Sequence, residues 1–145
     1  FSLGAVEYLV KPVRRERLIE VLDDIRNKID KRNITALVVD DERLSVKMLT
    51  DMLQSLDCSV LPAYGGQQAI EMAVQYLPDF IILDLMMPQV TGFDVVRQLR
   101  ANPLTKDIPI LIFTAKDLTK KERQQLNDSV PGHVAGLTEA ILDSL

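Results

Sequence analysis

Three aspartates and a threonine stand where apolar runs stop. Asp40 and Asp41 close the run from Thr35 to Val39, Asp84 closes Phe80 to Leu83, and Thr114 follows Ile108 to Phe113. If these runs are strands of one parallel sheet, their carboxyl ends lie on one edge and the three carboxylates converge there. Converging carboxylates repel, and each raises the pKa of the others. A hard divalent cation removes that penalty. Oxygen ligands with water completing an octahedral shell suit Mg²⁺, or Mn²⁺ in its place. An acidic pocket of this kind, with a hydroxyl beside it, can hold a phosphoryl group by bridging its oxygens to the metal.

The elements between these residues must do the positioning. The apolar runs are unalternated, as expected of strands buried on both faces, and amphipathic stretches separate them. Val46, Leu49, Met52, Leu53 and Leu56 mark one helix. Gly65-Gly66 opens a second, carrying Ala69, Ile70, Ala73 and Val74 and ending before Pro78. Gly92 precedes a third, with Phe93, Val96 and Leu99, stopped by Pro103. Ser59 to Ala63 reads as a short strand, with Cys58 just before it as an inert small hydrophobe. Thr119 and Glu122 have the spacing of a capping box for a fourth, very polar helix. Strand alternating with helix predicts an α/β fold, a parallel sheet with helices on both faces and its chemistry at the carboxyl ends of the strands.

The runs LVVDDE (37–42), IILDLMMPQVTG (81–92) and ILIFTA (110–115) closely resemble the receiver domains of two-component signalling, in order and in spacing, over residues 34–116. The resemblance implies a doubly wound, five-stranded, flavodoxin-like sheet. It implies that Asp84 is the phosphoacceptor, and that Asp40 and Asp41 are the acidic pair that organises Mg²⁺, Asp41 the more direct ligand. The backbone carbonyl of Met86 is then the third protein ligand, and Thr114 the hydroxyl that moves toward the phosphoryl group. Ala115 is the small residue that keeps the pocket mouth open, and Met87-Pro88 and Gly92 form the turn after the acceptor. A carboxylate is a modest nucleophile, so fixed cations must neutralise the incoming phosphoryl charge.

One part of the family pattern is missing from residues 34–145. Receivers carry a lysine at the end of a fifth strand, usually followed by proline. Here His133, Val134, Ala135 and Gly136 stand in that place, among Pro131 and Gly132, which suit a strand poorly. The pieces occur at the other end. GAVEYLVKPV (4–13) resembles a receiver's fifth strand, with Tyr8 at the aromatic switch position and Lys11-Pro12 at the lysine and its cis proline. Residues 14–32 resemble the last helix, with Leu18, Leu22, Ile25 and Ile29 on one stripe. Residues 1–32 are therefore expected to be the C-terminal strand and helix of an upstream receiver, or a linker helix, with 34–145 as the receiver proper. Tandem receivers of this kind occur in hybrid sensor kinases. A second reading has residues 1–32 complete the receiver, with Lys11 near Asp84 and Tyr8 near Thr114. The completion occurs within the chain, as a circular permutant, or between chains, as a swapped homodimer.

The remaining features narrow the function. With 145 residues, the chain suits one α/β domain and an appendage. A net charge of -4 argues against a general nucleic-acid surface, and no apolar run is long enough for a bilayer. One cysteine fits a reducing, cytoplasmic compartment. The expected function is Mg²⁺-dependent acceptance of a phosphoryl group from a histidine kinase or a histidine phosphotransfer protein. The isolated chain is not expected to be an enzyme beyond self-dephosphorylation. The alternative is a degenerate receiver that docks partners without phosphorylation. A metal-dependent phosphatase would need an acid or base two residues after Asp84, where Met86 stands. His133 follows Pro-Gly and is read as a surface residue, not a phosphotransfer histidine.

Overall fold

The computed structural model describes residues 6–29, 33–114 and 121. Nine elements follow in order: β1 (Val6–Val10), α1 (Arg15–Ile29), β2 (Ile34–Val39), α2 (Arg43–Gln54), β3 (Cys58–Ala63), α3 (Gly66–Tyr76), β4 (Phe80–Leu83), α4 (Gly92–Ala101) and β5 (Ile110–Thr114). The strands form one five-stranded sheet in the order β1-β5-β4-β2-β3, and every pairing is parallel. Alternate strand residues feed two separate cores. Leu37, Val39, Ile81, Leu83, Ile110 and Ile112 face a core with residues of α3 and α4. Ala36, Val38, Phe80, Ile82, Leu111 and Phe113 face a core with residues of α1 and α2. Helices on both faces explain why the central strands carry no polar alternation.

The fifth strand of this sheet is the N-terminal one. Val6 to Val10 pair in register with Ile110 to Thr114, and the Lys11 amide adds a bond to the Thr114 carbonyl at 2.9 Å. The N-terminal strand and helix are therefore not an extra segment beside a complete sheet. Counted from β2, with β1 taken last, the strand order becomes 2-1-3-4-5, that of a flavodoxin-like sheet. Leu18, Val21, Leu22 and Ile25 of α1 are buried, and Ile29 is only partly so. Val21, absent from the expected stripe, belongs to the buried face of the helix.

The helix is tied to the body by charged side chains as well. Arg15 Nη1 donates to Ser55 Oγ at 2.7 Å, and Arg26 Nη2 donates to the Leu56 carbonyl at 2.8 Å. Strand β5 begins at Ile110, later than expected. The Ile108 amide is taken by the Thr105 carbonyl at 3.1 Å, and Pro109 has no amide to give. Cys58 is the first residue of β3, and is buried. At the other edge, Pro62 interrupts the donors of β3, which protects that edge from pairing. The expected capping box at Thr119 and Glu122, residue Ala115 and the segment around His133 lie outside the described residues. Lys121 is helical and exposed. Among the described residues no helix is long and apolar enough to cross a membrane.

Candidate functional site

The site forms where β2, β4, β5 and β1 end. Asp40 follows β2, Asp84 follows β4, Thr114 ends β5 and Lys11 follows β1. Carboxylate oxygens of Asp40, Asp41 and Asp84 all lie within 4.8 Å of one another. Asp40 and Asp84 are buried, and Asp41 is exposed. Lys11 Nζ lies 2.8 Å from Asp40 Oδ2 and 3.7 Å from Asp84 Oδ2. The two buried aspartates are held alike. Asp40 Oδ1 accepts from the Glu42 amide at 2.9 Å, and Asp84 Oδ1 accepts from the Met86 amide at 3.2 Å. Each carboxylate is thus pinned by the amide two residues on, which leaves both Oδ2 atoms for the ammonium.

Charge balance at this cluster is incomplete. Burial raises the Asp84 pKa, and the Asp40 charge adds to the rise. The Met86 amide and the Lys11 charge work against it without cancelling it. Burial alone would lower the Lys11 pKa. The Asp40 hydrogen bond and the charges of Asp84 and Asp40 outweigh burial, so the ammonium is held charged more firmly than a free lysine. One ammonium does not neutralise three carboxylates. The donor set, all oxygen and partly open at Asp41, fits Mg²⁺ or Mn²⁺.

The other site residues take distinct places. The Thr114 hydroxyl is buried and has no hydrogen-bond partner among the described residues, so it is available to a ligand. Met86 is exposed, and the atom it offers to Asp84 is its amide. Tyr8 is paired in register with Ile112, whereas Val10 is the partner of Thr114. The tyrosine packs against the α3/α4 core. Gly92 is fixed by space: a Cβ there would lie 2.6 Å from the Asp84 carbonyl and 2.6 Å from Leu85 Cα. The Phe113 ring, 4.9 Å from Lys11 Nζ, is a contact that sequence reasoning missed. The only available signal was the aromatic at the end of a buried strand.

Four strand ends that bring an acid triad, a hydroxyl and a lysine to one edge have a counterpart among known proteins. The family model described as response regulator receiver domain matches residues 36–135. The chain belongs to the response regulator receiver domain family. Response regulator PleD from Caulobacter vibrioides is 43% identical over 81 residues, covering 56% of this chain and 18% of that protein. Response regulator MprA from Mycobacterium tuberculosis is 37% identical over 113 residues, covering 78% of this chain and 44% of its own length. The chain thus spans less than half of these relatives. Among solved structures, the N-terminal domain of a response regulator receiver protein from Methanoculleus marisnigri superposes with a TM-score of 0.62 at 31% identity, covering 77% of this chain and 95% of that one. Vibrio cholerae CheY4 gives 0.64 at 27% identity, covering 78% and 96%. The family match begins after α1, so it does not include the strand that carries Lys11.

Proposed function

We propose that this domain accepts a phosphoryl group on Asp84 in two-component signalling, from a phosphohistidine of a histidine kinase or phosphotransfer protein. The observation that carries the reading is the Asp84 carboxylate at the end of a buried strand, facing Lys11 at 3.7 Å within the acid cluster. Asp84 Oδ2 attacks phosphorus, the new P–O bond forms as the P–N bond to imidazole breaks, and the imidazole leaves with the electron pair. Mg²⁺ held by Asp40, Asp41, Asp84 and the Met86 carbonyl would supply charge neutralisation for the phosphoryl oxygens. Lys11 brings a fixed positive charge that needs no reorganisation as the transferred group arrives. The Thr114 hydroxyl, buried and unengaged among the described residues, is placed to donate to a phosphoryl oxygen.

The degenerate alternative rests on the absence, within residues 34–145, of the lysine that ends a receiver's fifth strand. The position of Lys11 between Asp40 and Asp84 weighs against it. The resemblance of residues 4–13 to a receiver's fifth strand also supports an origin in a tandem-receiver or hybrid-kinase protein. Beryllofluoride with Mg²⁺ is the test of the site. Binding is expected to perturb Thr114 and Lys11 resonances and to disappear in Asp84→Asn. A folded protein with no response to beryllofluoride would leave the phosphorylation-independent reading in its place.

A further inference from the structure

Leu9, Val38, Ile82 and Phe113 all face the core that the sheet shares with α1 and α2. The ladder continues one residue beyond β1, β2 and β4, through the amides of Lys11, Asp40 and Asp84. Side chains alternate along a strand, so Lys11, Asp40 and Asp84 keep to the face of Leu9, Val38 and Ile82. That is also the face of Phe113. Lys11 Nζ therefore stands over the Phe113 ring, 4.9 Å from its centroid, while it reaches Asp40 at 2.8 Å and Asp84 at 3.7 Å. The ring itself is buried in the core, which fixes the direction of its face.

We propose that Phe113 is a positioning residue for phosphoryl uptake: its ring face holds the Lys11 ammonium between Asp40 and Asp84 without neutralising it. The role rests on the reading of Asp84 as phosphoacceptor. An ammonium is drawn to the face of an aromatic ring by the ring's quadrupole. A carboxylate that binds Lys11 also cancels its charge. A ring has no net charge, so the positive charge stays available to an arriving phosphoryl group. The bond to Asp40 is directional, whereas attraction to the ring face tolerates sliding. Lys11 lies nearer Asp40 than Asp84, and must lean toward Asp84 to meet the phosphoryl oxygens. Over the ring it makes that shift and keeps one contact throughout. Lys11 and Phe113 also line a cavity of about 250 Å³ whose walls include Pro12, Val13, Met48 and Met52. A leucine at position 113 would widen that cavity beside Nζ and let the lysine stem lie in it, away from both acids.

The test alters the charge distribution of the ring at nearly constant shape. Phenylalanine bearing a rising number of ring fluorines, which draw charge from the face, is placed at position 113 of the full chain. Without Mg²⁺ or donor, the ring current should displace the Lys11 ε-protons of the unsubstituted protein upfield, and Phe113→Leu should abolish the displacement. With Mg²⁺ and acetyl phosphate, uptake on Asp84 should slow stepwise with fluorination. Phe113→Leu should slow it by roughly five- to tenfold. In a Lys11→Ala background the same Phe113→Leu change should slow uptake no further. Absence of the upfield displacement from the unsubstituted protein would mean that the ring is not beneath the ammonium, and would overturn the proposal. An unchanged rate across the fluorinated series, with normal labelling of the unsubstituted protein, would overturn the proposal alone. So would an equal loss from Phe113→Leu with and without Lys11, which marks a role in the fold only. The displacement without any uptake would overturn the phosphoacceptor reading, and the positioning role with it.

Discussion

Two cations in this fold, one half-buried and one buried, are compensated in different ways. Lys11 reaches two buried carboxylates, and its pKa is raised. Arg100, at the end of α4, is 4% exposed and reaches only carbonyls, Thr105 at 3.3 Å and Lys106 at 2.8 Å. Burial lowers its pKa to about 10, with Asp107 pulling the other way, and its Nε and Nη2 have no partner among the described residues. The first cation balances a cluster of acids at the mouth of a site. The second closes a turn, tying the chain after α4 back against the helix. A buried charge is evidence of function when its partners are themselves titratable and converge, not because it is buried.

The comparison predicts opposite outcomes for the two. Lys11→Ala should reduce the rate of phosphoryl uptake by roughly 100-fold, the scale seen when a fixed group that stabilises developing charge is removed. Lys11→Arg should not restore it fully, since a planar guanidinium cannot occupy the place of a compact ammonium. Stopped-flow uptake from a small phosphodonor reads both. Arg100→Ala should leave that rate unchanged and lower stability by about 2–3 kcal/mol in urea unfolding, through two lost hydrogen bonds and lost packing. Equal effects of the two variants on uptake would erase the distinction.

Smaller effects sharpen it. Thr91 and Asp94 form a capping box at α4, with the Asp94 carboxylate accepting from the Thr91 amide at 3.0 Å. Thr91→Ala should cost about 1 kcal/mol in thermal unfolding. The Asp94 pKa is lowered, first by the Thr91 amide and then by its hydroxyl. Its contribution is present above the unfolded-state pKa and is lost as pH falls through the lower folded value. Asp94→Asn should flatten that part of the acid unfolding profile. Asp84 is the opposite case, its pKa raised by burial and by Asp40. Asp84→Asn should raise the melting temperature by a few degrees without metal. Destabilisation there would mean that the acids do not burden one another.

The central sheet and its acids were legible because unalternated apolar runs have few other uses, and each stops at a residue that cannot continue the core. Asp40, Asp84 and Thr114 could be placed on one edge from that alone. Lys11 was legible in type, and its place near Asp84 was offered only by the resemblance, as one of two readings. Its strand pairs with β5 across nearly the whole described chain, and neither periodicity nor propensity specifies a partner at that distance. The same limit hid Arg26, whose bond to Leu56 joins two helix ends. It also hid Arg100, a charge on an amphipathic helix that reads as solvated. The shorter contact of Lys11 with Asp40 than with Asp84 depends on which oxygens the Glu42 and Met86 amides occupy. That is a matter of loop geometry, invisible in residue types.

The account rests on Asp84 as acceptor with Lys11 beside it, and peptide-level mass spectrometry tests this directly. The full chain is incubated with Mg²⁺ and acetyl phosphate, then trapped and digested under conditions that preserve acyl phosphates. The account predicts one phosphoryl group, on Asp84, absent from Asp84→Asn and strongly reduced in Lys11→Ala. A folded protein that gains no phosphoryl group, gains it on another residue, or labels Asp84 equally well without Lys11 would contradict it.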